Sequence, residues 1–186
     1  TLMSQTNLTS NFRFGEYTAQ NEKFNDYMED FVISINNFNN EPYRHLFCLF
    51  DGHGGAATAK LCTERYPEIF RKCLLDHPSD YELAIKKSFQ MMDKELENFA
   101  EIGNTATIIF INNKLLYCSN VGDSSCCLIS NNNAEFISID DKITNKDEIN
   151  RIKNCGAEIT DERLNGVLAV TRGLGDFDMK QKGLIC

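Results

Sequence analysis

His45-Leu46-Phe47-Cys48-Leu49-Phe50-Asp51-Gly52-His53-Gly54-Gly55 is the stretch on which the reading of this chain turns. His45 to Phe50 is a short apolar run, the length of a buried strand rather than a helix. It stops at Asp51, where the following glycines allow a tight turn. A lone histidine is more often structural than chemical. One set between glycines at the end of a buried strand is harder to explain that way.

Working outward, Phe31 to Ile35 reads as a strand that ends in the turn-rich Asn36–Asn40. A helix is expected from Ala56 to Leu75, with Ala59, Cys62, Tyr66, Ile69 and Cys73 on one face. A second follows Pro78, with Ser79 and Glu82 at capping-box spacing. Its stripe is Ile85, Phe89, Met92, Leu96 and Phe99, and Gly103 ends it. The period then changes to two: Thr105–Ile111, Lys114–Cys118, Cys126–Ser130 and Glu135–Ile139 read as strands, with Asn112-Asn113 and Asn131–Asn133 as hairpin turns. Thr144 and Asp147 suit the start of a short helix to Cys155, with Gly156 just past its end. Asn165-Gly166 marks a hairpin before Val167–Val170. Strands, two helices, more strands and a short helix make an α+β fold, with sheet packed on sheet and helices outside.

The chain has 186 residues, 42% of them hydrophobic, and a formal net charge of -8. A single domain of this length buries about 70% of the surface its unfolded form exposes. No window approaches the ~18 consecutive apolar residues of a membrane span, and the start, Thr1 to Gln5, lacks the pattern of a signal peptide. The acidic balance excludes nucleic acid or anionic lipid as the main partner, since both require clustered Lys and Arg. Cysteines at 48, 62, 73, 118, 126, 127, 155 and 186 form no Cys-x-x-Cys pair. Several fall on apolar positions, as free thiols do in a reducing compartment, which points to cytoplasm or nucleus.

Two acidic groups stand at strand ends: Glu29-Asp30 before one strand and Asp51 after the next. If the strands are antiparallel neighbours, these ends meet, and three carboxylates together need a counter-charge. A divalent cation would supply it. Two readings stay open on spacing alone, a metal site or solvated strand-end acids. The Asp51-Gly52-His53-Gly54-Gly55 context favours the first, with His53 placed to donate a proton.

Five stretches carry a resemblance. Tyr27-Met28-Glu29-Asp30, Asp51–Gly55, Gly103-Asn104-Thr105-Ala106, Asn120–Ser124 and Asn165–Asp176 occur in the order seen in type 2C (PPM) protein Ser/Thr phosphatases, and the resemblance runs from about Asn11 onward. It implies an antiparallel β-sandwich flanked by helices, with two Mn²⁺ or Mg²⁺ ions at one edge and phosphoserine or phosphothreonine proteins as substrates. Carried over by position, Asp51 bridges the metals, Gly52 binds through its carbonyl, and Glu29 acts through water, with Asp30 in the same motif. Asp123 matches a weaker, additional metal position. His53 matches the general acid. Thr171, Arg172, Gly173 and Asp176 match structural positions.

Four departures from the family's pattern stand out. Asn25 occupies the place of the family's phosphate-gripping Arg and cannot form a bidentate clamp, with Lys23 as a substitute. Ser125 and Asp141 replace an Arg and a His. The family's two further metal-binding aspartates, from Asp-Gly and Asp-Asn motifs, do not occur before Cys186, so residues 1–186 read as one domain lacking the family's C-terminal strands and helices. The open sandwich edge this leaves would suit a second copy or a partner strand. The alternative function is a catalytically impaired relative that binds proteins.

Overall fold

The computed structural model describes residues 13–20, 22–23, 26–180 and 182–184. In chain order they form β1 (Asp30–Asn36), β2 (Arg44–His53), α1 (Ala57–Asp76), α2 (Tyr81–Glu95), β3 (Gly103–Asn104), β4 (Ala106–Asn112) and β5 (Leu115–Val121). There follow β6 (Cys127–Ser130), β7 (Asn133–Phe136), α3 (Lys146–Asn154), β8 (Ile159–Thr160), β9 (Arg163–Leu164), β10 (Leu174–Gly175) and α4 (Phe177–Lys180). Antiparallel sheets and helices segregated along the chain make this the expected α+β fold.

β2 is the spine. It pairs antiparallel with β1 on one side and β4 on the other, and β5 follows β4. Its last residues pair with β3, which in turn pairs with β10, closing a six-stranded sheet. The run was expected to stop at Asp51. It continues to His53, because Gly52 and His53 find ladder partners in Asn104 and Gly103, and the turn falls at Gly54 and Gly55 instead. The β1–β2 connection bends at Asn37, Asn39 and Asn40, all at positive φ, which asparagine tolerates better than most side chains.

α1 and α2 cover one face of the sheet. Every residue of the expected α1 stripe is buried. The core is aromatic: Phe70 meets Phe110 edge to face at 5.1 Å, and Phe50 and Phe89 both abut Tyr66. The Tyr66 hydroxyl stays satisfied at 2.9 Å from Ser88 Oγ. The opposite face, with Val32, Phe47, Leu49 and Ile109, borders Gly15–Tyr17 and the segment leading into β6. There the described residues supply two short hairpins, β6–β7 and β8–β9, outside the main sheet.

Several boundaries move by local chemistry. Asp80, not Ser79, caps α2, its Oδ1 accepting from Leu83 N at 2.9 Å. α2 ends at Glu95, short of Phe99, and Gly103 opens β3 rather than closing the helix. Asn145, not Thr144, caps α3 by accepting from Asp147 N at 3.0 Å. Val167–Val170 forms two isolated bridges, Leu164 to Leu168 and Lys142 to Val170, rather than a strand. The turn at Asn165-Gly166 has both residues at positive φ, as read.

Candidate active site

Antiparallel register sets Asp30 directly opposite Asp51 at the end of β1 and β2. Paired residues of this kind hold their Cβ atoms about 5 Å apart. The backbone beneath them is fastened: Asp51 O accepts from Thr105 N at 2.8 Å and Glu29 O from Gly52 N at 3.2 Å. Gly52 is required for that approach, since a Cβ there would lie 2.7 Å from Glu29 O. Although Asp51 as a residue is exposed at the lip, its carboxyl is crowded. Partial burial, then the like charges of Asp30 and Asp123, push it up to about 6. Glu29, Asp30, Asp51, Gly52 and Tyr27 border a polar cavity of about 440 Å³, and Glu29 also accepts the Tyr27 hydroxyl.

Asp51 also borders a second cavity, of about 350 Å³, with His53, Thr105, Asp123, Arg163 and the Val167–Val170 rim. Asp123 lies 3.2 Å from Lys142 Nζ, which stands 3.6 Å from Asp140. The loop that presents Asp123 needs Gly122, which has φ +95 and lies so close to Thr105 that a Cβ would fall 2.6 Å from its Cγ2. Asp141 Oδ2 accepts Gly122 N at 3.0 Å, and Ser125 Oγ donates to Asp140 at 2.8 Å. These two departures from the family's pattern therefore hold the loop rather than enter the cavity.

His53 Nε2 lies 2.5 Å from Asp176 Oδ2. Asp176 is 2% exposed. Both groups meet over Gly103, where a Cβ would fall 1.9 Å from Asp176 Oδ2 and 2.7 Å from His53 Nε2. Gly103→Ala is accordingly expected to push the pair apart and destabilise the chain by about 1–3 kcal/mol, as overpacking does, read as a lowered thermal midpoint.

The donor set suits a hard divalent cation: carboxylate oxygens on fastened backbone, crowded and without a full counter-charge. It is an edge rather than a cage, because among the described residues no group of three His, Cys, Asp or Glu side chains converges as a ready-made metal site. All the sequence-predicted residues, Glu29, Asp30, Asp51, Gly52, His53 and Asp123, border one cavity or the other. Asn25 lies outside the described residues. Lys23, the proposed stand-in for the missing Arg, lines neither cavity. The basic side chain that does is Arg163, which sequence reading passed over inside a hairpin. Asp176 was read only as structural.

Residues 17–185 match the profile of the protein phosphatase 2C family. The chain belongs to that family. It is 32% identical over 164 residues to protein phosphatase 2C homolog 2 of Schizosaccharomyces pombe, covering 83% of this chain and 44% of that protein. To protein phosphatase 2C homolog 1 of Saccharomyces cerevisiae it is 32% identical over 186 residues, covering 89% and 66%. Among solved structures, a C. elegans sex determining protein superposes with a TM-score of 0.77 at 24% identity, covering 84% of this chain and 43% of that one, a likeness of fold. The chain thus spans between 43% and 66% of these relatives' lengths. Among its described residues, no helix is long and apolar enough to cross a membrane, and all seven cysteines are free thiols.

Proposed function

We propose that the protein hydrolyses phosphoserine and phosphothreonine in proteins, with Mn²⁺ or Mg²⁺ bound at the Asp51 edge. The observation that carries this reading is the crowding of Asp51 by Asp30 and Asp123, between two cavities that share it. Asp51, the Gly52 carbonyl, Glu29 and Asp30 would hold the metal pair. Asp123 would take a weaker ion, in competition with the Lys142 ammonium. Bound divalent ions supply a water acidic enough to attack phosphorus at neutral pH.

The chain's own residues do the rest. His53 borders the second cavity and donates a proton to the departing serine or threonine oxygen. Arg163, on the same wall, offers the phosphate a cation that Asn25 cannot supply, while Val167–Val170 gives the flanking peptide an apolar rim. Free thiols and the family's substrates fit a reducing compartment, cytoplasm or nucleus.

The test is release of phosphate from a phosphothreonine peptide with Mn²⁺ present, and after chelation by EDTA. Turnover that vanishes on chelation and returns with Mn²⁺ supports the proposal. A folded protein that binds Mn²⁺ and releases no phosphate sinks it.

A further inference from the structure

His53 and Asp176 are brought together by the shortest strands in the sheet. β3 pairs on one side with Gly52 and His53 of β2, and on the other with Leu174 and Gly175 of β10. The absent side chain at Gly103 leaves the slot in which imidazole and carboxylate meet. The placement of Asp176 is over-determined. Its backbone has φ 47, an unfavourable left-handed conformation for a residue with a side chain. It is held there by Asp176 N donating to Ile102 O at 3.0 Å, and by Gly175 N donating to Asp93 Oδ1 at 3.0 Å. Asp93 is itself 3.1 Å from Lys180 Nζ. A buried carboxylate on a strained backbone is costly, and here it faces the one histidine that borders the cavity shared with Asp51.

We infer that Asp176 is a positioning residue for the reaction: it accepts the Nε2–H of His53, fixes the ring's orientation and tautomer, and leaves Nδ1 as the nitrogen that serves the leaving group. The inference rests on the proposed phosphatase reading for its chemistry, though not for its geometry. In the step it describes, water oxygen bonds to phosphorus as the bond to the serine or threonine oxygen breaks, and the water releases one proton to solvent. The Nδ1 proton of the imidazolium passes to that departing oxygen. His53 is left as the neutral Nε2–H tautomer, still held by Asp176, and regains its proton from solvent. A carboxylate behind a histidine acts this way in hydrolases of unrelated fold, where its loss puts the ring in the wrong tautomer.

Two measurements test it. In the metal-free chain, long-range ¹H–¹⁵N correlation spectra should show neutral His53 as the Nε2–H tautomer, and Asp176→Asn should shift it toward Nδ1–H. With Mn²⁺, Asp176→Asn should lower kcat on a phosphoserine peptide about 100-fold, within the range for lost acid catalysis, with KM little changed. On p-nitrophenyl phosphate, whose leaving group needs no proton, the loss should stay under about fivefold. His53→Gln should give the same split, and adding Asp176→Asn to it should cost little more. An Nδ1–H tautomer in the native chain overturns the inference. So does an equal loss on both substrates, the mark of a structural role. If the protein hydrolyses neither substrate, the phosphatase reading fails while the spectra still decide the dyad.

Discussion

Asp51→Asn is expected to lower Mn²⁺-supported phosphopeptide turnover by about a thousandfold or more, equivalent to about 4 kcal/mol of transition-state stabilisation. The substitution keeps shape and removes one charge at the point shared by both cavities. The fold should not suffer. Asp51's backbone bond to Thr105 N does not involve the side chain, and the lost charge relieves repulsion from Asp30 and Asp123. Metal-free Asp51→Asn should therefore unfold at the same temperature as the native chain or slightly above it, while calorimetric titration shows Mn²⁺ affinity lost. The native carboxyl gives a pH signature as well. With its pKa raised to about 6, Asp51 is fully ionised only above that value, so protons compete with metal below it. Mn²⁺ affinity should fall about tenfold per unit of pH under 6. A flat profile from pH 7 to 5 would remove Asp51 from the metal's ligands.

Glu148→Gln should be a strongly destabilising change away from the site. Glu148 lies 5% exposed in α3, and its carboxylate ties that helix to the Thr171-Arg172 segment. Arg151 donates through Nε at 3.1 Å and Nη2 at 2.8 Å, Arg172 through Nη2 at 2.7 Å, and Thr171 through Oγ1 at 2.7 Å. Burial alone would push this carboxyl up. Hydrogen bonds from Arg151, Arg172 and Thr171 outweigh it and hold the group at about 2, below its ordinary 4.5. A depressed carboxyl stabilises the native state above its unfolded value, and that contribution is lost as pH falls through the folded one. Here the shift corresponds to about 3 kcal/mol at neutral pH. Glu148→Gln should forfeit most of it and lower the thermal midpoint by roughly 6–12 °C for a chain of this size. The gap between variant and native protein should shrink from pH 4.5 toward pH 2. A gap unchanged at pH 2 would mean that packing, not charge, makes the difference.

What was legible in the sequence was what local chemistry determines. The period of α1 named its buried face, and the asparagine turns named the hairpins. The strand-end acids met because β1 and β2 are consecutive and antiparallel. What escaped notice depends on distant pairing. Nothing near Asp51 announces that Gly52 and His53 will find partners in Asn104 and Gly103, so the strand read two residues short. Helix caps slipped by one position because Ser79 and Asp80, or Thr144 and Asn145, stand side by side and either member of each pair can accept from the first turn. Arg163 and Asp176 were hidden as well. Arg163 lies beside a hairpin turn and Asp176 in a motif read as structural, and Asp176 meets His53 only because β10 pairs with β3, far back along the chain.

The contact between His53 and Asp176 spans 123 positions of sequence, whereas β1 and β2, like β4 and β5, close over short turns. Contacts of such different range do not form together, because a long loop must be closed before its reward is collected. A chain emerging from a ribosome can assemble the edge where Asp30 meets Asp51 long before it acquires a partner for the imidazole. The register that sets Asp30 against Asp51 can therefore form early, while the contact between His53 and Asp176 waits until the chain has been made through residue 176.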